Sequence, residues 1–152
     1  MFRFRLTPLL KIRENTRRDK QAELVQALDA EAIVLEKLEE IKQKRVDLRE
    51  ATRAKILDKQ VHVGFMISSR RHEAFLIVQQ TQIEEKLEVL RKEIERRREA
   101  LLEADKEVRI MEKLRDKQKE RYEQEQLAIE TVLMDEIGSQ KAARQISGIG
   151  NQ

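Results

Sequence analysis

Residues 76–136 read LIVQQTQIEEKLEVLRKEIERRREALLEADKEVRIMEKLRDKQKERYEQEQLAIETVLMDE. Alternating steps of four and three residues from Leu76 visit eighteen positions, and twelve of these are apolar or aromatic in a chain that is 40% charged. A spacing of 3.5 residues turns one stripe of a helix toward a partner helix, which is the heptad pattern of a coiled coil. No Gly or Pro interrupts the stretch, so it predicts one continuous helix.

The composition favours long helices over a globular domain. Aromatic residues make up 3% of the 152 residues, and four glycines and one proline are too few for a loop-rich fold. The 32 basic and 29 acidic residues leave a net charge of +3, and such interleaving is typical of a solvated coiled-coil surface. The absence of Cys suits a reducing cytosol, and neither a membrane span nor a secretory signal is recognisable. We therefore expect an all-α, cytoplasmic chain.

Gly and Pro suggest where the helices begin and end. Thr7 followed by Pro8 is a good helix start, and no further Gly or Pro occurs before Gly64, where the heptad spacing is lost. Ser68 or its neighbour can cap a second helix, and Gly138 can end it. We predict a single hairpin over residues 1–139, with helix 1 at about 8–58, a turn at about 59–68, helix 2 at about 69–137, and a flexible tail at 140–152.

Helix 1 has a heptad frame of its own, which is the set of positions reached by alternating steps of four and three residues from Leu6 to Thr52. Folding the chain about Gly64 makes the two frames coincide and places Leu38 opposite Leu90. The sequence therefore predicts a long antiparallel two-helix coiled-coil hairpin.

The same register predicts charge contacts inside the seam. Glu31 faces Arg97, an ion pair that would specify the alignment. Arg13 faces Arg115, and this repulsion would weaken the seam near the termini. Helix 2 extends past the start of the chain by one to three turns.

Two features coincide at the predicted terminal end. Residues 1–20 hold seven basic and two acidic residues. The extension carries apolar residues without a partner inside the hairpin: Ile129, Val132, Leu133, Met134 and Ile137. Basic and apolar surface together suits docking into an acidic-rimmed hole or groove of another protein. A frayed end and charges that serve solubility remain the alternatives.

Signs of catalysis or cofactor binding are lacking. His62 and His72 lie ten residues apart without Cys or a suitably spaced carboxylate, so no metal site is expected. The sequence has no phosphate-binding loop, and a two-helix hairpin has no cleft that could desolvate catalytic carboxylates. We predict that the chain is not an enzyme and binds no cofactor.

Several stretches resemble the FliJ family of flagellar export proteins. The opening FRFRLTPLLKIRE at residues 2–14 is similar to the family's start of helix 1, and Phe75-Leu76 with Ile83 resembles its start of helix 2. MEKLRDKQKERY at residues 111–122 and MDEI at 134–137 look like its closing segment.

This resemblance implies a stalk of the flagellar type III export system. Such a stalk binds the ring of the export ATPase hexamer and promotes its assembly, contacts the cytoplasmic domain of the export-gate membrane protein, and escorts export chaperones. The chain would then be a monomeric hairpin when free, peripherally associated with the export apparatus at the inner membrane. Flagellar and virulence-type systems share this stalk geometry, so both remain open.

The resemblance and the residues together suggest two binding sites. The predicted ATPase-binding residues lie near the termini: Arg13, Arg17, Arg18, Ile129, Val132, Leu133 and Ile137. The positions that match the family's gate-binding patch lie toward the turn: Leu38, Ile41, Leu48, Phe75, Gln79 and Gln82. The alternative function is a structural coiled-coil protein that homodimerises without an ATPase partner. Nucleic-acid binding is not expected, because no aromatic residue lies between Arg13 and Lys20 for base stacking.

Overall fold

The computed structural model describes residues 1–149, and in that range it contains two helices and no strand. Helix α1 spans Thr7–Leu57 and helix α2 spans Val63–Ile149. Residue numbers fall along α1 as they rise along α2 in the contacts between the helices: Lys55 contacts Phe65, Arg49 pairs with Glu73, and Glu31 pairs with Arg91. The all-α antiparallel two-helix hairpin is therefore confirmed.

The start of α1 follows from its first two residues. The Thr7 hydroxyl donates to the Phe4 carbonyl oxygen at 2.6 Å, and the Thr7 amide donates to the same oxygen at 3.3 Å. Pro8 then occupies the first turn, where its missing N–H would have no helical acceptor.

The turn lies at residues 58–62, between the two helices. Lys59 adopts a φ of 54°, and the amides of Lys59 and Gln60 donate to the carbonyls of Ile56 and Lys55. This is a Schellman motif, which closes a helix by satisfying its last carbonyls and usually has glycine at the left-handed position. Here a lysine takes that position, so the sequence carries no glycine signal at the actual turn.

The predicted boundaries of helix 2 were wrong at both ends. Helix α2 begins at Val63, six residues before the expected start, and Gly64 lies in its first turn rather than in the connection. At the other end α2 passes through Gly138 and Ser139 without interruption. Residues 140–149 of the predicted flexible tail are helical, and residues 150–152 lie outside the described residues. A single glycine in a helix costs about 1 kcal/mol of stability relative to alanine, which is too little to end a long helix.

The chain divides into two compact units. Unit 2 comprises Thr16–Ala104. Its buried apolar side chains all occupy positions of the predicted frames: Ala27, Leu38, Ile41, Leu76, Leu87, Ile94 and Ala104. The heptad frames therefore identified the side chains that pack between the helices.

Unit 1 comprises Met1–Asn15 and Asp105–Gln152. Its core is a cluster of Phe4, Leu10, Val108 and Met111, with Phe2 packed against it. Val108 is fully buried. The aromatic residues before α1 therefore belong to the core of this unit, where they cover the seam of α2.

The predicted register was wrong by about one heptad. Glu31 pairs with Arg91 instead of Arg97, at 3.1 Å. Arg97 instead donates to the Glu23 carbonyl oxygen and to the Glu93 carboxylate. A shift by one heptad keeps both apolar stripes in the seam, so the stripes alone could not distinguish the two registers.

The shift also removes the predicted repulsion in unit 1. Arg13 pairs with the Glu107 carboxylate, and Arg115 pairs with its neighbour Asp116 at 3.0 Å. The expected weakness of the seam at Arg13 was therefore wrong, because the like charges are not opposed.

Candidate partner-binding surfaces

Among the described residues of unit 1, the last contacts between α2 and the start of the chain are made by Tyr122. Its ring lies 5.8 Å from the ring of Phe2, and its hydroxyl accepts a hydrogen bond from the Met1 amino group at 2.8 Å. Every side chain from Glu123 to Gly148 is exposed. We call residues 123–149 the overhang. At 1.5 Å per residue this helical segment is about 40 Å long, well beyond the one to three turns expected.

Four of the predicted ATPase-binding residues share one face of the overhang. Val132, Leu133 and Ile137 follow Ile129 by three, four and eight residues, spacings that lie on one side of a helix. Their side chains are between 49% and 64% exposed. We call these four residues the apolar face.

Of the three predicted basic residues, the one in unit 1 is not next to the apolar face. Arg13 is held by Glu107, which precedes Ile129 by 22 residues of α2, a distance of about 33 Å along the helix axis. Arg17 and Arg18 belong to unit 2, whereas the apolar face belongs to unit 1. The combined basic and apolar surface expected from the sequence is therefore not supported by unit 1, because the corrected register lengthens the overhang.

Sequence reasoning missed the charge of the overhang itself. Its residues 123–140 contain no Lys or Arg and five acidic residues: Glu123, Glu125, Glu130, Asp135 and Glu136. The rest of the overhang holds two basic residues, Lys141 and Arg144. The signal was available in the sequence. It was overlooked because the basic N-terminal segment was assumed to lie beside these residues.

Three of the six gate-patch residues line one groove in unit 2. Leu48, Phe75 and Gln79 border an open groove of about 610 Å³, together with Lys44, Asp47, Ala51, His72 and Leu76. Phe75 is the most exposed large apolar side chain of this groove, at 59%. An exposed aromatic ring beside a groove is a typical protein-binding feature.

The other three gate-patch residues lie elsewhere. Leu38 and Ile41 are buried in the seam, where they pack between the helices of unit 2. Gln82 is exposed and borders a different groove, with Val34 and Val89. The structure therefore brings together Leu48, Phe75 and Gln79 but not the whole predicted patch.

Within residues 1–149, no group of three or more His, Cys, Asp or Glu side chains is arranged to hold a metal ion. No helix in the same range is apolar and long enough to cross a membrane. The prominent surface features of the described residues are thus the overhang and the grooves beside the seam.

The comparison with protein families decides the assignment. The family described as Flagellar FliJ protein matches residues 1–147. The chain belongs to the FliJ family. No curated protein and no solved structure matches the chain. The FliJ family is a non-catalytic component of flagellar export and acts at the export apparatus, so the chain has a role related to flagellar protein export.

Proposed function

We propose that this FliJ-family chain is a stalk that binds the ring of the flagellar export ATPase and promotes assembly of the hexamer. The observation that carries the proposal is the overhang, a helix of about 40 Å with an exposed apolar face in unit 1. An isolated helix gains little stability in water without packing of its apolar face, so a partner for this face is expected. A helix of this kind fits the central opening of a ring.

A passive helix can raise the activity of another protein through differential binding. If the overhang binds the assembled ring more tightly than the separated ATPase subunits, it shifts the population toward the hexamer. The catalytic groups then belong entirely to the ATPase. The stalk contributes only binding free energy.

We further propose that the groove at Leu48, Phe75 and Gln79 binds the cytoplasmic domain of the export-gate membrane protein. Phe75 would enter an apolar pocket of the gate, and Gln79 would donate or accept hydrogen bonds at its edge. Leu38 and Ile41 would act indirectly, by holding the helices that carry the groove. The chain would work in the cytoplasm at the inner membrane, as a monomeric hairpin when free, and would escort export chaperones.

The ATPase proposal is tested by mixing the full chain with the export ATPase and measuring hydrolysis and hexamer formation. We expect both to rise, and we expect deletion of residues 129–152 to abolish the increase. The double variant Leu133→Asp and Ile137→Asp should weaken binding about 30-fold or more, because apolar anchors of an interface contribute most of its affinity. Equal stimulation by the full chain and the deletion variant would reject the proposal.

The gate proposal has a matched pair of variants on α2. Phe75→Ala should weaken binding to the gate domain by about tenfold or more, as expected for an aromatic anchor. Ile77→Ala is the control, since Ile77 is also exposed but does not border the groove. A similar loss in both variants would rule out a specific role for the groove.

A further inference from the structure

Two of the carboxylates of the overhang, Glu125 and Glu136, lie on the same heptad frame as Ile129 and Val132. Their positions indicate what chemistry a binding partner needs. We propose that the partner binds the overhang in an apolar groove that carries basic side chains opposite Glu125 and Glu136. This inference rests on the proposed docking of the overhang to the export ATPase, and it specifies the chemistry of the ATPase surface.

The heptad frame of the paired part of α2 continues into the overhang. In unit 1 it passes through Val108 and Met111, which are buried against the start of the chain. The same four-three steps then reach Glu125, Ile129, Val132 and Glu136. A partner helix or groove wall that covers Ile129 and Val132 therefore also covers one carboxylate before them and one after them.

The chain itself offers few cations to these carboxylates. Glu136 has no Lys or Arg three or four residues before or after it, the spacings at which helix side chains meet. Glu125 has one, Arg121, four residues before it. Burying a carboxylate without a compensating cation is strongly unfavourable, so the partner must supply positive charge.

The distance between the two carboxylates sets the layout of the partner's cations. Glu125 and Glu136 are eleven residues apart, which corresponds to about 16 Å along the helix and to nearly the same side of it. The receiving groove therefore has two basic positions about 16 Å apart, with apolar surface between them for Ile129 and Val132.

A second copy of the overhang does not meet these requirements. In a parallel pair each carboxylate would face its own counterpart. In an antiparallel pair centred between Ile129 and Val132, Glu125 of one copy would face Glu136 of the other. Both arrangements oppose like charges in the seam. Nucleic acid and anionic lipid are disfavoured as well, because both attract basic surfaces.

The inferred groove has the opposite sign to the acidic-rimmed site expected from the basic N-terminal segment. That expectation used residues 1–20, whereas four acidic residues and one basic residue, Lys141, lie within four residues of the exposed apolar face. The sign of the partner's groove follows from the charges next to the apolar face, since these are the charges that docking would desolvate.

The test measures the affinity of the full chain for the export ATPase, by a direct binding assay at two salt concentrations. Glu125→Lys with Glu136→Lys should weaken binding about 30-fold or more, because each cation would meet a cation of the groove. Glu125→Gln with Glu136→Gln should cause an intermediate loss and a shallower salt dependence. Circular dichroism of each free variant verifies that helix content is retained.

The matched control is Glu88→Lys with Glu99→Lys, which makes the same charge change at two exposed positions of α2 that are also eleven residues apart. It should bind like the unmodified chain. Equal losses in the control and in the overhang variant would overturn the inference, since they would reflect net charge alone. Unchanged or tighter binding by the overhang variants would also overturn it. Failure of the unmodified chain to bind the ATPase would instead reject the proposed function on which the inference depends.

Discussion

Val108 and Val132 both lie on the apolar heptad frame of the same helix, yet their environments are opposite. Val108 is 0% exposed and packs with Phe4, Leu10 and Met111, whereas Val132 is 64% exposed. The two side chains are chemically identical. The difference arises because residues 1–15 cover the part of α2 that contains Val108, whereas the described contacts between α2 and the start of the chain end at Tyr122.

A heptad frame therefore predicts which side chains face a partner helix, but not whether a partner helix is present. In the paired part the frame contributes to folding. In the overhang the same pattern leaves apolar surface that can contribute to binding. Substitutions at matched positions in the two parts should therefore have separable effects on stability and on association.

The largest expected effect is on stability at the buried position. Val108→Asp should lower the free energy of unfolding by roughly 4 kcal/mol, because it places an unpaired carboxylate in the apolar cluster. Val132→Asp should change it by less than about 0.5 kcal/mol, since the side chain is already in water. Urea denaturation followed by circular dichroism measures both. Similar losses for the two variants would contradict the contrast between the two parts of α2.

The heptad frame of buried positions was predictable from the sequence, because the side chains that pack between two helices recur with the period of the helix. Ala27, Ile94 and Val108 lie at frame positions and are buried as expected. The register was not predictable in the same way. When one helix is shifted along the other by seven residues, both apolar stripes still face each other. Only the location of the turn could therefore decide the register.

The turn was misplaced for a specific physical reason. Gly64 is the residue of that region best suited to a left-handed conformation, but the left-handed residue in the structure is Lys59. The helix is closed by backbone hydrogen bonds of Lys59 and Gln60, which any residue can make. No residue type in residues 58–62 marks this turn.

Substitution of Gly64 tests the register of the two helices. Gly64→Ala should stabilise the chain by about 0.5 kcal/mol, because Gly64 is helical, has no positive φ, and has open space for a methyl group. If Gly64 instead formed the turn in a left-handed conformation, the same substitution would be destabilising. The sign of the change in melting temperature therefore distinguishes the observed register from the one predicted from the sequence.

The smallest expected effect concerns the ion pair between Arg13 and Glu107 in the paired part of unit 1. Their side chains are 41% and 40% exposed, so solvent screens the interaction. A double-mutant cycle with Arg13→Ala and Glu107→Ala should give a coupling energy of about 0.3 kcal/mol. The parallel cycle with Arg13→Ala and Arg115→Ala should give none. A coupling only in the second cycle would restore the discarded register.

The candidate sites were predictable only in part. The sequence identified the exposed apolar face at Ile129, Val132, Leu133 and Ile137, because a long helix 2 had to outlast helix 1. It misjudged the charge beside that face, since the register error placed the basic segment too close. For the gate patch, the heptad frame already placed Leu38 in the seam. Because a buried seam residue cannot contact a partner, the family resemblance alone was not enough to assign it to a binding site.

We expect the overhang to have no partner in the free chain and to gain one when the chain binds the export ATPase. Amide hydrogen exchange measured on the full chain, alone and with the ATPase, tests this directly. We expect residues 87–111 to exchange slowly in both samples, and residues 123–148 to exchange fast when free and markedly more slowly in the complex. Slow exchange of residues 123–148 in the free chain, or no change on adding the ATPase, would contradict the account.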